Sequence, residues 1–179
     1  MTSPVKLSHY VLQTNQIPAL RAWYLAVLGG EIVHENPHLC FIAYDDEHHR
    51  IAFVDFEKLQ KKGEKDVGLN HVAFTFADLK TLLETHERLK RDNAIVPFWC
   101  INHGPTTSLY YHDPDGNGVE LQVDNFASLA DCKAFMRSPE FAANPLGVEF
   151  DPDEMLRRLR AGASERSFMV RAELEHAMA

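Results

Sequence analysis

The chain has 179 residues, 45% hydrophobic and 25% charged, with 26 acidic against 18 basic side chains and a formal charge of −8. That is enough apolar material for one compact domain or two small fused halves. No basic stripe interleaved with aromatics occurs, which argues against nucleic acid as a partner, and no run approaches the roughly 20 apolar residues of a membrane span.

The three cysteines, Cys40, Cys100 and Cys132, are far apart and form no CxxC, so reduced thiols of a cytosolic protein are expected rather than a disulfide framework or a thiolate metal site. The N-terminus has no apolar run after its lysine, so no secretory signal is expected and the cytoplasm is the expected compartment. Ten histidines are more than ordinary usage and raise the prospect of metal or acid–base chemistry.

In chain order, the first strand is expected around Leu7-Ser8-His9-Tyr10-Val11-Leu12. Leu20, Trp23, Tyr24, Val27 and Leu28 recur at helical spacing after it, and Gly29-Gly30 stops that helix. Strand-like runs follow at 31–34, 39–44 and 50–56, punctuated by Asn36-Pro37 and Asp45-Asp46. A charged linker, 61–65, separates this half from the next. Then the pattern returns. Leu69-Asn70-His71-Val72-Ala73-Phe74 repeats the leucine–polar–histidine–apolar shape, and Leu79, Leu82, Leu83 and Leu89 mark a second amphipathic helix ending near Asp92-Asn93. Strands are expected at 95–101, 108–112 and 118–123, with turns at Gly104-Pro105 and Asp115-Gly116. Each half thus reads strand, helix, strand, strand, strand. Beyond Phe126 the pattern changes. Asp151-Pro152-Asp153-Glu154 offers an N-cap acid, proline in the first turn and glutamate at N3, predicting a helix to about Arg160 with Gly162 after it.

Strand alternation assigns faces. His9 falls with Val11 and Gln13, His71 with Ala73 and Thr75, and Glu120 with Gly118 and Gln122. In each strand the bulkier apolar residues occupy the other side, which wants the helices. Two such sheets curved against one another would bring both histidines and the glutamate to one cavity. Two imidazoles and one carboxylate form a facial triad with neighbouring coordination positions open, a ligand set suited to non-heme Fe(II) and accepted by Mn(II).

These residues resemble the vicinal oxygen chelate superfamily and, within it, the type I extradiol dioxygenases. The segment Asp113-Pro114-Asp115-Gly116-Asn117-Gly118-Val119-Glu120 is similar to the family's DPxGNxxE motif, whose glutamate is a metal ligand, and His9 and His71 fall where the other two ligands lie. Asp46-Glu47-His48-His49-Arg50-Ile51-Ala52-Phe53 resembles the stretch ending in HHSLAF, whose second histidine is the acid–base group. Tyr110 matches the family's active-site tyrosine, and His103-Gly104 resembles the histidine–glycine ahead of it, with a shorter gap here.

The resemblance implies an α+β fold of paired βαβββ modules, 5–57 and 67–125, in one domain over 1–125. The helical extension at 126–179 is expected to serve packing or oligomer contacts. The resemblance further implies an Fe(II) enzyme, with Mn(II) as the alternative ion, that opens a catechol-type ring with O2. His9, His71 and Glu120 would hold the metal, His49 would move protons, and Tyr110 and His103 would bond substrate oxygens. Many such enzymes carry two module pairs and this chain has one, so a homo-oligomer is expected.

Two rival readings share the scaffold. One is a glyoxalase-I-like lyase or isomerase, which needs a fourth ligand; Phe53 falls at that position and Asp55 is the nearest substitute. The other is a bleomycin-resistance-like binding protein without a catalytic metal.

Overall fold

In the computed structural model the described residues are 2–60, 63 and 67–171, so the charged linker at 61–65 lies, Gly63 apart, outside them. They divide into two compact units. One holds the chain up to Gly68 together with Asp113–Asn117, the other Leu69–His112 and the chain from Gly118 onward.

The first unit runs β1 (Tyr10–Gln13), α1 (Ile17–Leu28), β2 (Glu31–Asn36), β3 (Leu39–Ala43) and β4 (Ile51–Val54). Its sheet has the order β1-β4-β3-β2, with β1 parallel to β4 and the other pairs antiparallel. The Thr14 hydroxyl accepts from the Gln16 N–H, and Pro18 sits in the first turn of α1, where its missing donor costs nothing. The helix ends at Gly29, whose φ of +67° few other residues adopt comfortably and whose N–H returns to the Leu25 carbonyl. Leu20, Trp23, Tyr24 and Val27 on α1 are buried, as are Cys40, Ile42, Ile51 and Phe53 of the sheet. Regular pairing starts at Tyr10 rather than Leu7. The stretch ahead of it is fastened instead by Arg50, which donates to the carbonyls of Leu7 and Ser8 and to Asp45.

The second unit begins with β5 (His71–Thr75), α2 (Leu79–Asn93), β6 (Trp99–Asn102), β7 (Thr106–His112) and β8 (Gly118–Asp124). Asp78 caps α2 by accepting from the Thr81 N–H at 2.7 Å. The predicted leucines Leu79, Leu82, Leu83 and Leu89 form the buried face of α2, joined there by His86.

Only one helix is legible in the chain beyond Phe126. It is present as α5 (Pro152–Arg160), with Asp151 accepting from the N–H groups of Asp153 and Glu154. Around it lie α3 (Leu129–Phe135), α4 (Pro139–Ala143), β9 (Val148–Glu149) and α6 (Arg166–Met169). The last strand extends the second sheet to β5-β8-β7-β6-β9 by pairing antiparallel to β6. Helix α5 packs on α2. Arg160 donates to both oxygens of Glu87 at 2.6 and 2.8 Å, and Asp153 faces His86 and Lys90. Among the described residues no helix is long and apolar enough to cross a membrane.

Candidate functional site

In the second unit, strand register builds the site. Ala73 of β5 pairs with Glu120 of β8, Glu120 with Tyr110 of β7, and Tyr110 with Trp99 of β6, a row across four strands on one face of the sheet. His71 lies two residues before Ala73 on that same face. Its register partner is Gly118, where a Cβ would stand 2.4 Å from the Asn70 carbonyl oxygen and 3.0 Å from the His71 Cβ. The glycine therefore lets β8 approach β5 closely where the histidine emerges.

The His71 Nδ1–H donates to the Asn70 amide oxygen at 2.7 Å, which turns the Nε2 lone pair toward Glu120 Oε2, 3.0 Å away. Glu120 is only 5% exposed. Two lone-pair atoms at that separation repel unless a proton or a cation lies between them, so the pair has the donor chemistry of half a metal site. The His71 ring also meets Tyr110 edge-on, at 5.3 Å between centroids.

The Tyr110 hydroxyl is pushed well above its ordinary pKa, chiefly by burial and then by the Glu120 charge, so it stays a proton donor. The hydroxyl lies 2.9 Å from His103 Nε2, and His103 Nδ1 bonds the Leu146 carbonyl.

In the first unit, His9 precedes β1 directly, and its ring centroid is 4.4 Å from that of His49. On its other side His49 stacks on Phe41 at 4.4 Å and 13°. His49 and His48 share a proton between their Nδ1 atoms, 2.6 Å apart. Burial, then the positive charges that His9 and His48 can carry, lower the His49 pKa, which keeps the ring neutral and able to accept a proton near pH 7.

The Asp113–Asn117 motif is a tight turn organised by one carboxylate. Asp113 accepts from the N–H groups of Asp115 and Asn117, from the Asn117 amide and from the Tyr24 hydroxyl at 3.1 Å. Gly116, at φ +85°, makes the reversal possible.

Several sequence expectations change in detail. His49, expected as the proton-moving group, lies in the bend before β4, where stacking on Phe41 sets its ring. Phe53 is fully buried, facing Tyr24 with 5.3 Å between ring centroids, and Asp55 lies past the end of β4. The Asp55 carboxylate accepts from the Glu57 N–H at 2.7 Å. Phe53 thus offers no carboxylate to a fourth ligand position, and one oxygen of Asp55 is engaged within its own loop. His112, at the exposed end of β7, is no part of the row across the second sheet and stacks on Phe98. Trp99 was missed, since nothing in a lone tryptophan announces which strand it will neighbour. Within neither unit do three His, Cys, Asp or Glu side chains among the described residues gather as a ready metal cluster.

Residues 6–121 match the Glyoxalase/Bleomycin resistance protein/Dioxygenase superfamily. The chain is 44% identical over 174 residues to biphenyl-2,3-diol 1,2-dioxygenase 3 of Rhodococcus globerulus, covering 96% of this chain and 91% of that one. It is 46% identical over 163 residues to biphenyl-2,3-diol 1,2-dioxygenase 2 of the same organism, covering 90% and 85%. Among solved structures, lactoylglutathione lyase from Agrobacterium tumefaciens has the same fold, with a TM-score of 0.55 and 23% identity over 68% of this chain and 96% of that one.

Proposed function

Because the chain belongs to the Glyoxalase/Bleomycin resistance protein/Dioxygenase superfamily and, within it, to the type I extradiol dioxygenases, we propose that it is an Fe(II) enzyme that opens the ring of a catechol-type substrate with O2. The observation that carries this is the His71–Glu120 pair: a tautomer-fixed imidazole lone pair facing a buried carboxylate at 3.0 Å. His71 and Glu120 are proposed as two ligands, with His9, the corresponding histidine of the first module, as the third. When bound, the ferrous ion supplies adjacent open positions for the diol and O2 and a path for electron density from one to the other.

The chain's own groups supply the rest. His49, neutral near pH 7, takes the proton that a catechol loses on binding and returns it as the ring opens. Tyr110 remains protonated; its single O–H rests on His103 Nε2 and swings to the substrate oxygen as charge develops there. His71, Tyr110 and Trp99 offer aromatic surface against which a flat diol can pack. The names of the two Rhodococcus relatives make biphenyl-2,3-diol the first substrate to try. We place the reaction in the cytoplasm, a reading supported by the three free cysteines.

The test is anaerobic reconstitution with Fe(II), then a panel of mono- and bicyclic catechols in air. A yellow ring-opened product is expected. A fully loaded protein that turns over none of them, but isomerises a thiol adduct of an α-ketoaldehyde, would overturn the proposal in favour of a glyoxalase.

A further inference from the structure

The extension beyond residue 126 reads from sequence as packing material, yet its residues 144–149 touch the groups around Tyr110. We propose that this segment is a working part of the reactive face: the Leu146 carbonyl and the Glu149 carboxylate are positioning groups that set His103 and Trp99 around the Tyr110 hydroxyl. The inference rests on the assignment of Tyr110 and His103 above.

A backbone carbonyl can only accept, so the His103–Leu146 bond makes Nδ1 the protonated nitrogen. Nε2 then carries the lone pair, and at 2.9 Å it accepts from the Tyr110 O–H. The other tautomer would present an N–H to Tyr110 and force the phenol to act as acceptor. One carbonyl, 43 residues from His103 in sequence, thus sets which ring nitrogen His103 presents to the Tyr110 hydroxyl.

The segment is also built to hold that carbonyl still. Asn144 accepts from the Gly147 N–H and donates to the Gly147 carbonyl, both at 2.9 Å, so one side chain closes the turn in both directions. Gly147 has φ +110°, and a Cβ there would lie 2.1 Å from the Asn102 carbonyl oxygen and 2.7 Å from the His103 Cα. That approach is backbone on backbone, with no flexible side chain to yield. Directly after Gly147, β9 pairs Val148 with Asn102 and Glu149 with Ile101, fixing the turn against the end of β6.

Glu149 acts on the other neighbour. Its Oε1 accepts from the Trp99 indole N–H at 2.8 Å. The half-buried indole lies 5.1 Å from the Tyr110 ring and meets His103 edge-on at 5.7 Å. Freed from Glu149, it could rotate away and leave Tyr110 and His103 open to water, which would weaken every polar contact they make to a substrate.

The test needs variants that disturb position without removing a reacting group. In metal-free protein with 15N-labelled histidine, assigned through His103→Gln, the wild-type His103 is expected in the Nδ1–H tautomer. Asn144→Ala is expected to give mixed tautomers. In the reconstituted enzyme Asn144→Ala and Glu149→Ala should lower kcat about tenfold, less than the roughly 10²–10⁴-fold lost with a proton-transfer group itself, because that group stays and only its placing is disturbed. Their KM for unsubstituted catechol and their iron content should stay within about twofold of wild type, since the metal ligands are untouched. Glu149→Gln keeps an acceptor for the indole and should recover more than half the loss. Wild-type His103 in the Nε2–H tautomer, or wild-type kcat in both alanine variants, would overturn the proposal. The tautomer is read without turnover. A chain with the expected tautomer but no ring cleavage would therefore fail the functional reading and leave this geometry standing.

Discussion

Replacing Gly118 by alanine probes the link between fold and site directly. The substitution meets no conformational barrier, because Gly118 is not among the residues with positive φ. It meets a wall instead: the new Cβ would be 2.4 Å from the Asn70 carbonyl oxygen. Carbon–oxygen contacts settle near ~3.3 Å or beyond, so β5 and β8 must part by roughly 1 Å where His71 faces Gly118. Overpacking of that kind costs about 1–3 kcal/mol, and each kcal/mol lowers Tm by about 2–4 °C in a chain of this size. The larger consequence falls on the metal, because the 3.0 Å spacing of His71 and Glu120 depends on that approach. Displacing an orienting contact around a ligand typically costs about 10–100-fold in metal affinity. Gly116→Ala is the control. It strains a position at φ +85° but meets nothing within 4 Å, so it should lose a comparable ~1 kcal/mol and keep its iron. Thermal denaturation and iron titration of both variants decide the matter. Wild-type iron affinity in Gly118→Ala, whatever its Tm, would mean that the close approach of β8 to β5 does not set the His71–Glu120 spacing.

His9→Ala and Glu120→Ala should each abolish iron retention through gel filtration and lower activity at least about a hundredfold, since each removes a proposed ligand. His49→Ala should keep iron yet lose about 10²–10⁴-fold in kcat; catechol turnover at the wild-type rate in that variant would remove the acid–base assignment. On the acid side, the bond from Lys90, then His86, holds the Asp153 carboxyl below its ordinary range. A depressed folded pKa means stabilisation that is complete above about pH 4 and is lost as pH falls through the lower folded value. Amide exchange in α5 should therefore accelerate below about pH 4 relative to α2, and Asp153→Asn should remove that pH dependence.

Much of this architecture is legible in the residues because its signals are local and periodic. The leucines of α2 and the alternation of His71, Ala73 and Thr75 against Val72 and Phe74 need nothing beyond the chain to show their faces, and in β5 Ala73 and Thr75 are exposed on either side of buried Phe74, while His71 and Val72 are both half-buried. The Asp113 turn announces itself because one carboxylate, one glycine and one asparagine satisfy the reversal within five residues. His49 escapes a parity argument since a bend has no period, and its place is set by stacking on Phe41. The extension is harder still. Strand β9 is two residues long and exists only through pairing with β6, and α3, α4 and α6 span seven residues or fewer, too short for an apolar period to emerge. The His103–Leu146 bond joins residues 43 apart, and neither end carries a local mark of the other.

Oxygen-isotope labelling tests ring cleavage by O2 itself. The Fe(II)-reconstituted protein is given biphenyl-2,3-diol under 18O2, and the ring-opened product is weighed by mass spectrometry. Ring opening by a dioxygenase places two 18O atoms in the product before exchange with water. A product of the same mass under 16O2 and 18O2, or one formed equally well without oxygen, contradicts it.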